Sequence, residues 1–312
     1  MNRTNEAPGL IITPQILSLV AGLDEFKGQW LTLGNLPPLR LSALEQQAQT
    51  SAAAAWFRRN NAEKPPAKEV AAHTKVRRLL GTSFAGIPFT QHHIKQLHRV
   101  LAPAGGATPG GEYRREEAEA IGRRMHHLVT WVDDTLAARQ LHPLLVIGIF
   151  LLRFGAIRPF AEDNQRLAHL LVMLLLLKND YEFIRYHALE LIFEEQQALH
   201  AQAMATGQSR LSRENIIAEE WLVAFLRILH LHKDAVRAAV ATAHGACSRP
   251  ALEQQILDLL HRHGQATNKT IQAATGASRN TIKARLGRLV ANGELIRHGH
   301  GKGSRYTLAG PA

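Results

Sequence analysis

The sequence predicts a mainly α-helical protein in two parts, a long helical body and a small basic unit of three helices and a β-hairpin. Three observations predict it. Apolar residues of the body recur at helical spacing, as Ile121, Met125, Leu128 and Val132 do at i, i+4, i+7 and i+11. No βαβ alternation and no repeat of fixed period appears alongside them. Positive charge collects at the C-terminal end: of a formal net charge of +11, residues 250–312 hold nine Lys or Arg against three Asp or Glu, a net of +6.

Taken in order, residues 1–66 read as an N-terminal helical region, rich in Ala and Gln and broken by Pro37-Pro38 and Pro65-Pro66. One long helix is expected from about Ala67 to Arg99. The Gly- and Pro-rich run Ala102–Gly111 is a loop by composition. From Glu116 to Leu231 nearly every residue fits a helix. The apolar stretches Leu144–Leu152 and Leu170–Leu177 are too short to span a bilayer and are flanked by Arg153 and His169, so they read as core helices. The body therefore spans 67–231, residues 232–249 read as a linker, and the basic unit occupies 250–312.

Composition narrows the function. Apolar residues make up 46% of the chain, enough to fill a core, which excludes wholesale disorder. A single cysteine, Cys247, excludes a disulfide framework and a thiolate metal cluster. No charged segment followed by an apolar one opens the sequence, so a cytoplasmic protein with no membrane partner is expected. The histidine pairs His92-His93, His126-His127, His261/His263 and His298/His300 are adjacent or one apart, not at the i, i+4 spacing of a helical metal pair, and no metal is assigned. Asp133-Asp134 and Glu194-Glu195 lack partners at catalytic spacing. Gly105-Gly106 and Gly110-Gly111 lack the preceding strand and following Lys-Ser/Thr of a phosphate loop.

In the basic unit, Leu252, Ile256, Leu259 and Leu260 place one apolar stripe on a first helix, which Gly264 ends. Thr267 caps a short second helix holding Ile271 and Ala274. Gly276-Ala-Ser278 then makes a tight turn, with Ser278 capping a third helix that buries Ile282, Leu286, Leu289 and Val290 before Gly293 stops it. Strands are expected over Glu294–Arg297 and Ser304–Leu308, around the basic hairpin His298–Gly303. This order of elements resembles the winged helix-turn-helix family, and the resemblance implies DNA binding. Arg279, Asn280 and Lys283 lie at the end of the third helix that reaches base edges. Arg285 and Arg288 flank it towards phosphate, and His298, His300, Lys302 and Arg305 form the wing. The alternative is a winged helix used for protein contact, its basic residues merely solvated.

Within the body, Ala156-Ile-Arg-Pro-Phe-Ala-Glu-Asp-Asn-Gln-Arg166 resembles the motif of the Fic (Fic/Doc) family, His-Pro-Phe-x-Asp/Glu-Gly-Asn-Gly-Arg-x-x-Arg. His142-Pro-Leu-Leu precedes an apolar helix at the family's spacing, Leu167–Leu177 follows as the next core helix, and Trp221–Phe225 looks like the closing helix. Gly111-Glu-Tyr-Arg114 looks like the family's flap. The resemblance covers about Lys68 to Leu231. It implies a Fic-like helical domain with a small β-hairpin flap, joined to a C-terminal winged helix.

The resemblance also implies roles that can be checked one by one. Fic enzymes transfer AMP from ATP to a protein hydroxyl, the motif His taking the proton. Arg158 stands at that position, and a guanidinium stays protonated up to a pH of about 12, so it is no general base near neutrality. Glu162 keeps the position that binds Mg²⁺. The two glycines of the anion nest are Asp163 and Gln165, of which the first repels phosphate and the second narrows the nest. Asn164 and Arg166 are retained as nucleotide- or anion-binding positions, Tyr113 joins them from the flap, and His169 replaces the final Arg. The family's inhibitory helix, Ser/Thr-x-x-x-Glu-Gly/Asn, finds its nearest match in Ser51-Ala-Ala-Ala-Ala55-Trp56, with Ala in place of the Glu. Arg158, Glu162 and Arg166 also fit a plain ion-pair network that holds the loop in shape.

The expected function is a DNA-binding regulatory protein, a homodimer on DNA, whose Fic-like body has lost the base and anion-hole glycines and does not transfer AMP. The alternative is a transferase of altered chemistry, with ATP and Mg²⁺ as cofactors, recruited to a protein target by the winged helix.

Overall fold

Proline sets where the first helices begin. The computed structural model describes residues 9–33, 36–59, 67–102, 109–214, 216–247, 251–299 and 303–309. In it, α1 (Pro14–Leu33) and α2 (Pro38–Arg59) each start on a Pro, whose missing N–H has no helical partner to lose there. The long helix expected from Ala67 is two, α3 (Ala67–Ser83) and α4 (Gln91–Leu101), separated by a 3-10 turn at Phe84–Gly86. Pro88 explains the break. Ile87 before it is extended at φ −96°, as the ring requires, and Thr90 restarts the chain by capping the His93 N–H.

The body continues through α5 (Ala118–Ala137), α6 (Pro143–Ile157), α7 (Asn164–Lys178), α8 (Leu189–Glu195), α9 (Gln197–Glu214) and α10 (Glu219–Cys247). β1 (Gly9–Leu10) and β2 (Ile216–Ile217) form a two-residue parallel pair. Residues 232–247, expected as a linker, continue α10. The chain divides into two compact units between Val240 and Ala241.

The two apolar runs become the core of the first unit. α6 and α7 are apolar on nearly every face, and helices of that kind are stable only when surrounded. α5, α7 and α9 pack on α6, while α3 and α4 pack on α7. Each Leu or Ile buried there contributes about 1.5–3 kcal/mol. From α10, buried Trp221 donates its indole N–H to the Gly148 carbonyl at 2.8 Å. Gly148 is required at that crossing, because a Cβ would lie 2.9 Å from the Phe225 ring.

A buried polar cluster joins α3 to α8. Arg77 Nη1 donates to both carboxylate oxygens of Glu190, at 2.8 and 3.0 Å, and its Nη2 to the His187 carbonyl at 2.8 Å. His73 adds a contact to Glu190 at 3.4 Å, and His232 of α10 reaches the same His187 carbonyl at 3.2 Å. Such a pair is costly to break, since losing one member strands a charge in apolar surroundings.

The second unit holds α11 (Ala251–His263), β3 (Gln265–Thr267), α12 (Asn268–Thr275), α13 (Arg279–Ala291), β4 (Leu295–His298) and β5 (Arg305–Leu308). β5 lies between β3 and β4 in an antiparallel sheet. Ile256, Leu260, Ile271, Ile282, Leu286, Leu289, Leu295 and Tyr306 form its core. α12 holds Ile271, which is buried, and Ala274, which is exposed, and both strands begin one residue later than expected. β3 is unforeseen. Among the described residues no helix is long and apolar enough to cross a membrane.

Candidate functional site

The motif residues of the body meet where α6 ends and α7 begins. Arg158 closes α6 in the left-handed conformation, φ 45°, and Asp163 opens α7 in the same region, φ 56°. Asp tolerates this conformation better than most side chains, so Asp163 makes the turn without a glycine. Between them Asn164 ties the loop, its Oδ1 accepting from the Phe160 N–H at 2.9 Å and its Nδ2 donating to the Phe160 carbonyl at 2.7 Å.

Arg166 is fully buried and faces inward. It donates to the Glu69 carbonyl at 2.6 Å and to His73 Nδ1 at 3.2 Å, and pairs with Asp163 at 3.5 Å. Asn164 and Arg166 thus both contribute to the shape of the loop. Tyr113 is buried too: its hydroxyl donates to Gln91 at 2.8 Å, Lys95 lies over its ring, and burial pushes its pKa up to about 12.

The expected β-hairpin flap is not formed as strands among the described residues. Gly111–Arg114 is a turn and an irregular segment held by contacts to neighbouring elements. Arg114 donates its N–H to the Pro159 carbonyl at 3.0 Å and its Nε to the Arg158 carbonyl at 2.9 Å. Gly111 donates its N–H to His98 Nδ1 at 2.8 Å. His98 is buried, stacked on Phe160 at 3.8 Å, and its Nε2 bonds the Glu162 carbonyl at 3.3 Å. Because Nδ1 accepts, Nε2 carries the proton and the ring is neutral; burial holds its pKa below the usual value. Nothing local in the sequence marks His98 for this part.

Beside the loop lies a cavity of about 490 Å³. Arg158, Glu162, Asp163 and Gln165 line one side. On the other, Ala201, Met204, Ala205 and Gln208 face it from α9. Their i, i+3, i+4, i+7 spacing was a legible but unread signal. His169 also lines the cavity, buried and stacked on Phe193 at 3.9 Å. Asp163 places a carboxylate at the N-terminus of α7, where the helix dipole favours an anion, and Glu162 stands beside it at the cavity. Asn164 and Arg166 are engaged within the fold. Among the described residues no group of three or more His, Cys, Asp or Glu gathers to hold a metal ion.

The second unit presents a different surface. Thr267 Oγ1 accepts the Thr270 N–H at 3.2 Å, Gly276 turns the chain at φ 68°, and Ser278 Oγ accepts the Thr281 N–H at 3.2 Å. These caps fix α13 with Arg279, Asn280 and Lys283 exposed on its first turns. Arg285 and Arg288 instead reach the carboxylate of Glu253 on α11, at 3.3 and 4.0 Å. On the wing Arg305 is exposed, His298 bonds Thr307 at 2.9 Å, and Arg297 donates to Ser304. His300 and Lys302 lie outside the described residues.

The profile of the Fic/DOC family matches residues 88–176, and that of a winged helix-turn-helix DNA-binding family matches residues 250–293. No functionally curated protein matches the sequence. Among solved structures, a Fic family protein from Desulfovibrio desulfuricans G20 superposes with a TM-score of 0.67 at 21% identity, covering 98% of this chain and 99% of its own. A Fic domain containing signaling protein from Bacteroides thetaiotaomicron gives 0.57 at 17%, covering 73% of this chain and 98% of its own. Fic-1 (residues 134–508) from C. elegans gives 0.55 at 16%, covering 73% of this chain and 71% of its own. The motif loop on α6 and α7 and the capped third helix with its wing are thus accounted for together: the chain carries a Fic/DOC domain and a C-terminal winged helix-turn-helix.

Proposed function

We propose that the protein is a DNA-binding regulator whose Fic domain serves as a frame or ligand-sensing platform and does not transfer AMP. The observation that carries this reading is α13, capped by Ser278 and presenting Arg279, Asn280 and Lys283 free of the core, in a unit with a net charge of +6 over residues 250–312. An exposed Arg or Asn at the start of such a helix offers paired donors to guanine or adenine edges in the major groove. Arg305 on the wing contacts backbone. Winged-helix proteins of this kind pair on half-sites about one helical turn apart, so the protein acts as a homodimer on DNA. In the body, Arg158 cannot accept a proton, which supports the absence of ordinary AMP transfer.

The test is duplex binding across a salt series. The full chain is expected to bind DNA with affinity falling at least about tenfold between 50 and 200 mM salt, and removal of residues 250–312 to abolish it. Retained binding after that removal would sink the reading. A second reading, a transferase of altered chemistry, rests on the cavity of about 490 Å³ beside Arg158. Calorimetric detection of ATP or Mg²⁺ binding there, lost on Glu162→Ala, would favour it.

A further inference from the structure

The third residue of α11 is a carboxylate set where a carboxylate is hard to keep. Glu253 is 3% exposed, and it lies among Ile256, Leu257 and the other apolar residues that α11 turns to the core. A buried carboxylate must be paired. Its partners come from α13: Arg285 at 3.3 Å and Arg288 at 4.0 Å, three residues apart and so on one stripe of that helix. The start of α11 also favours the negative charge through the helix dipole.

The consequence concerns charge along α13. Arg279 and Lys283, on its first turns, have no acidic neighbour within ion-pair distance among the described residues, whereas Arg285 and Arg288 share one. Free arginines two turns into a DNA-reading helix bind phosphate regardless of sequence, and each such contact adds to non-specific affinity. An arginine held on a buried carboxylate must leave that carboxylate stranded to do the same.

Resting on the DNA-binding reading above, we infer that Glu253 is a specificity-determining residue: it withholds Arg285 from sequence-independent phosphate binding, offsets the charge of the more exposed Arg288 at 4.0 Å, and leaves discrimination to Arg279, Asn280 and Lys283. It is a positioning residue and touches no DNA itself. Its carboxylate makes the rear of α13 one positive charge rather than two.

The experiment compares the full wild-type chain with Glu253→Gln, an isosteric change, on a random-sequence duplex across 50–300 mM salt. The variant is expected to bind the random duplex about three- to tenfold more tightly at low salt, with a salt slope steeper by up to about one. Weaker binding would mean that Glu253 holds Arg285 on phosphate, and unchanged binding that it acts in packing alone; either overturns the inference. Should the variant not fold, the wild type still decides through arginine modification by phenylglyoxal, mapped by mass spectrometry. Duplex DNA is expected to slow modification of Arg279 several-fold and that of Arg285 less than twofold. Equal protection of both overturns the inference. If the wild type binds no duplex at any salt, the DNA-binding reading itself falls, an outcome distinct from all of these.

Discussion

Two arginines in one loop show how far a residue's type determines its use. Arg166 keeps its motif position yet faces His73 and the Glu69 carbonyl, and only the tertiary fold could reveal it, since those partners lie more than ninety residues away in sequence. Arg158 lines the cavity and is exposed, and there the chemistry alone is decisive, whatever the geometry. Incubation with labelled ATP and Mg²⁺ is therefore expected to label neither the protein nor a lysate. Label transfer that disappears in Arg158→Ala would overturn this. Repulsion between Asp163 and phosphate, argued from sequence, takes a modified form: the carboxylate is partly neutralised by Arg166 at 3.5 Å.

Helix ends were the most legible elements, because caps act within four residues. Thr267, Gly276 and Ser278 occupy the positions and conformations their types favour. Ser278→Ala is expected to lower the stability of the second unit by about 1 kcal/mol, read as faster amide exchange along α13. A loss below a few tenths would show that packing of Ile282 and Leu286 fixes the helix start unaided. β3 was illegible because its three residues pair with β5 some forty residues on, and nothing in Gln265–Thr267 alone marks a strand. The flap failed as a hairpin for a similar reason. Hydrogen bonds to Pro159, Arg158, Gln91 and His98 tie it to other segments.

At the scale of the whole molecule, histidines buried or half-buried in the body govern the response to acid. His73, His98, His187 and His232 are each held below the usual 6.5 by burial, His232 at about 3. The folded state therefore binds fewer protons than the unfolded chain below pH 6.5. Their stabilising effect is complete above that pH and is lost progressively as pH falls towards the folded-state values. Glu190, lowered chiefly by Arg77 against its own burial, adds a second loss at more acidic pH, below about 4.5. The unfolding free energy of the body, read from urea titrations, is expected to fall between pH 7.5 and 5.0, by on the order of 1 kcal/mol per histidine. A free energy that is flat over this range would mean that these rings gain solvent or partners on protonation. The division into a helical body and a basic unit was readable from periodicity and charge; this acid sensitivity was not, since it depends on which histidines the fold encloses.

The left-handed turn at Asp163 carries one more consequence. A glycine could take φ 56° without strain, so the backbone here is already the shape that the smaller residue would choose. The path of the turn therefore leaves the chemistry of this loop to its side chains: an anion supplied by the chain itself sits at the head of α7, counterbalanced from within by Arg166.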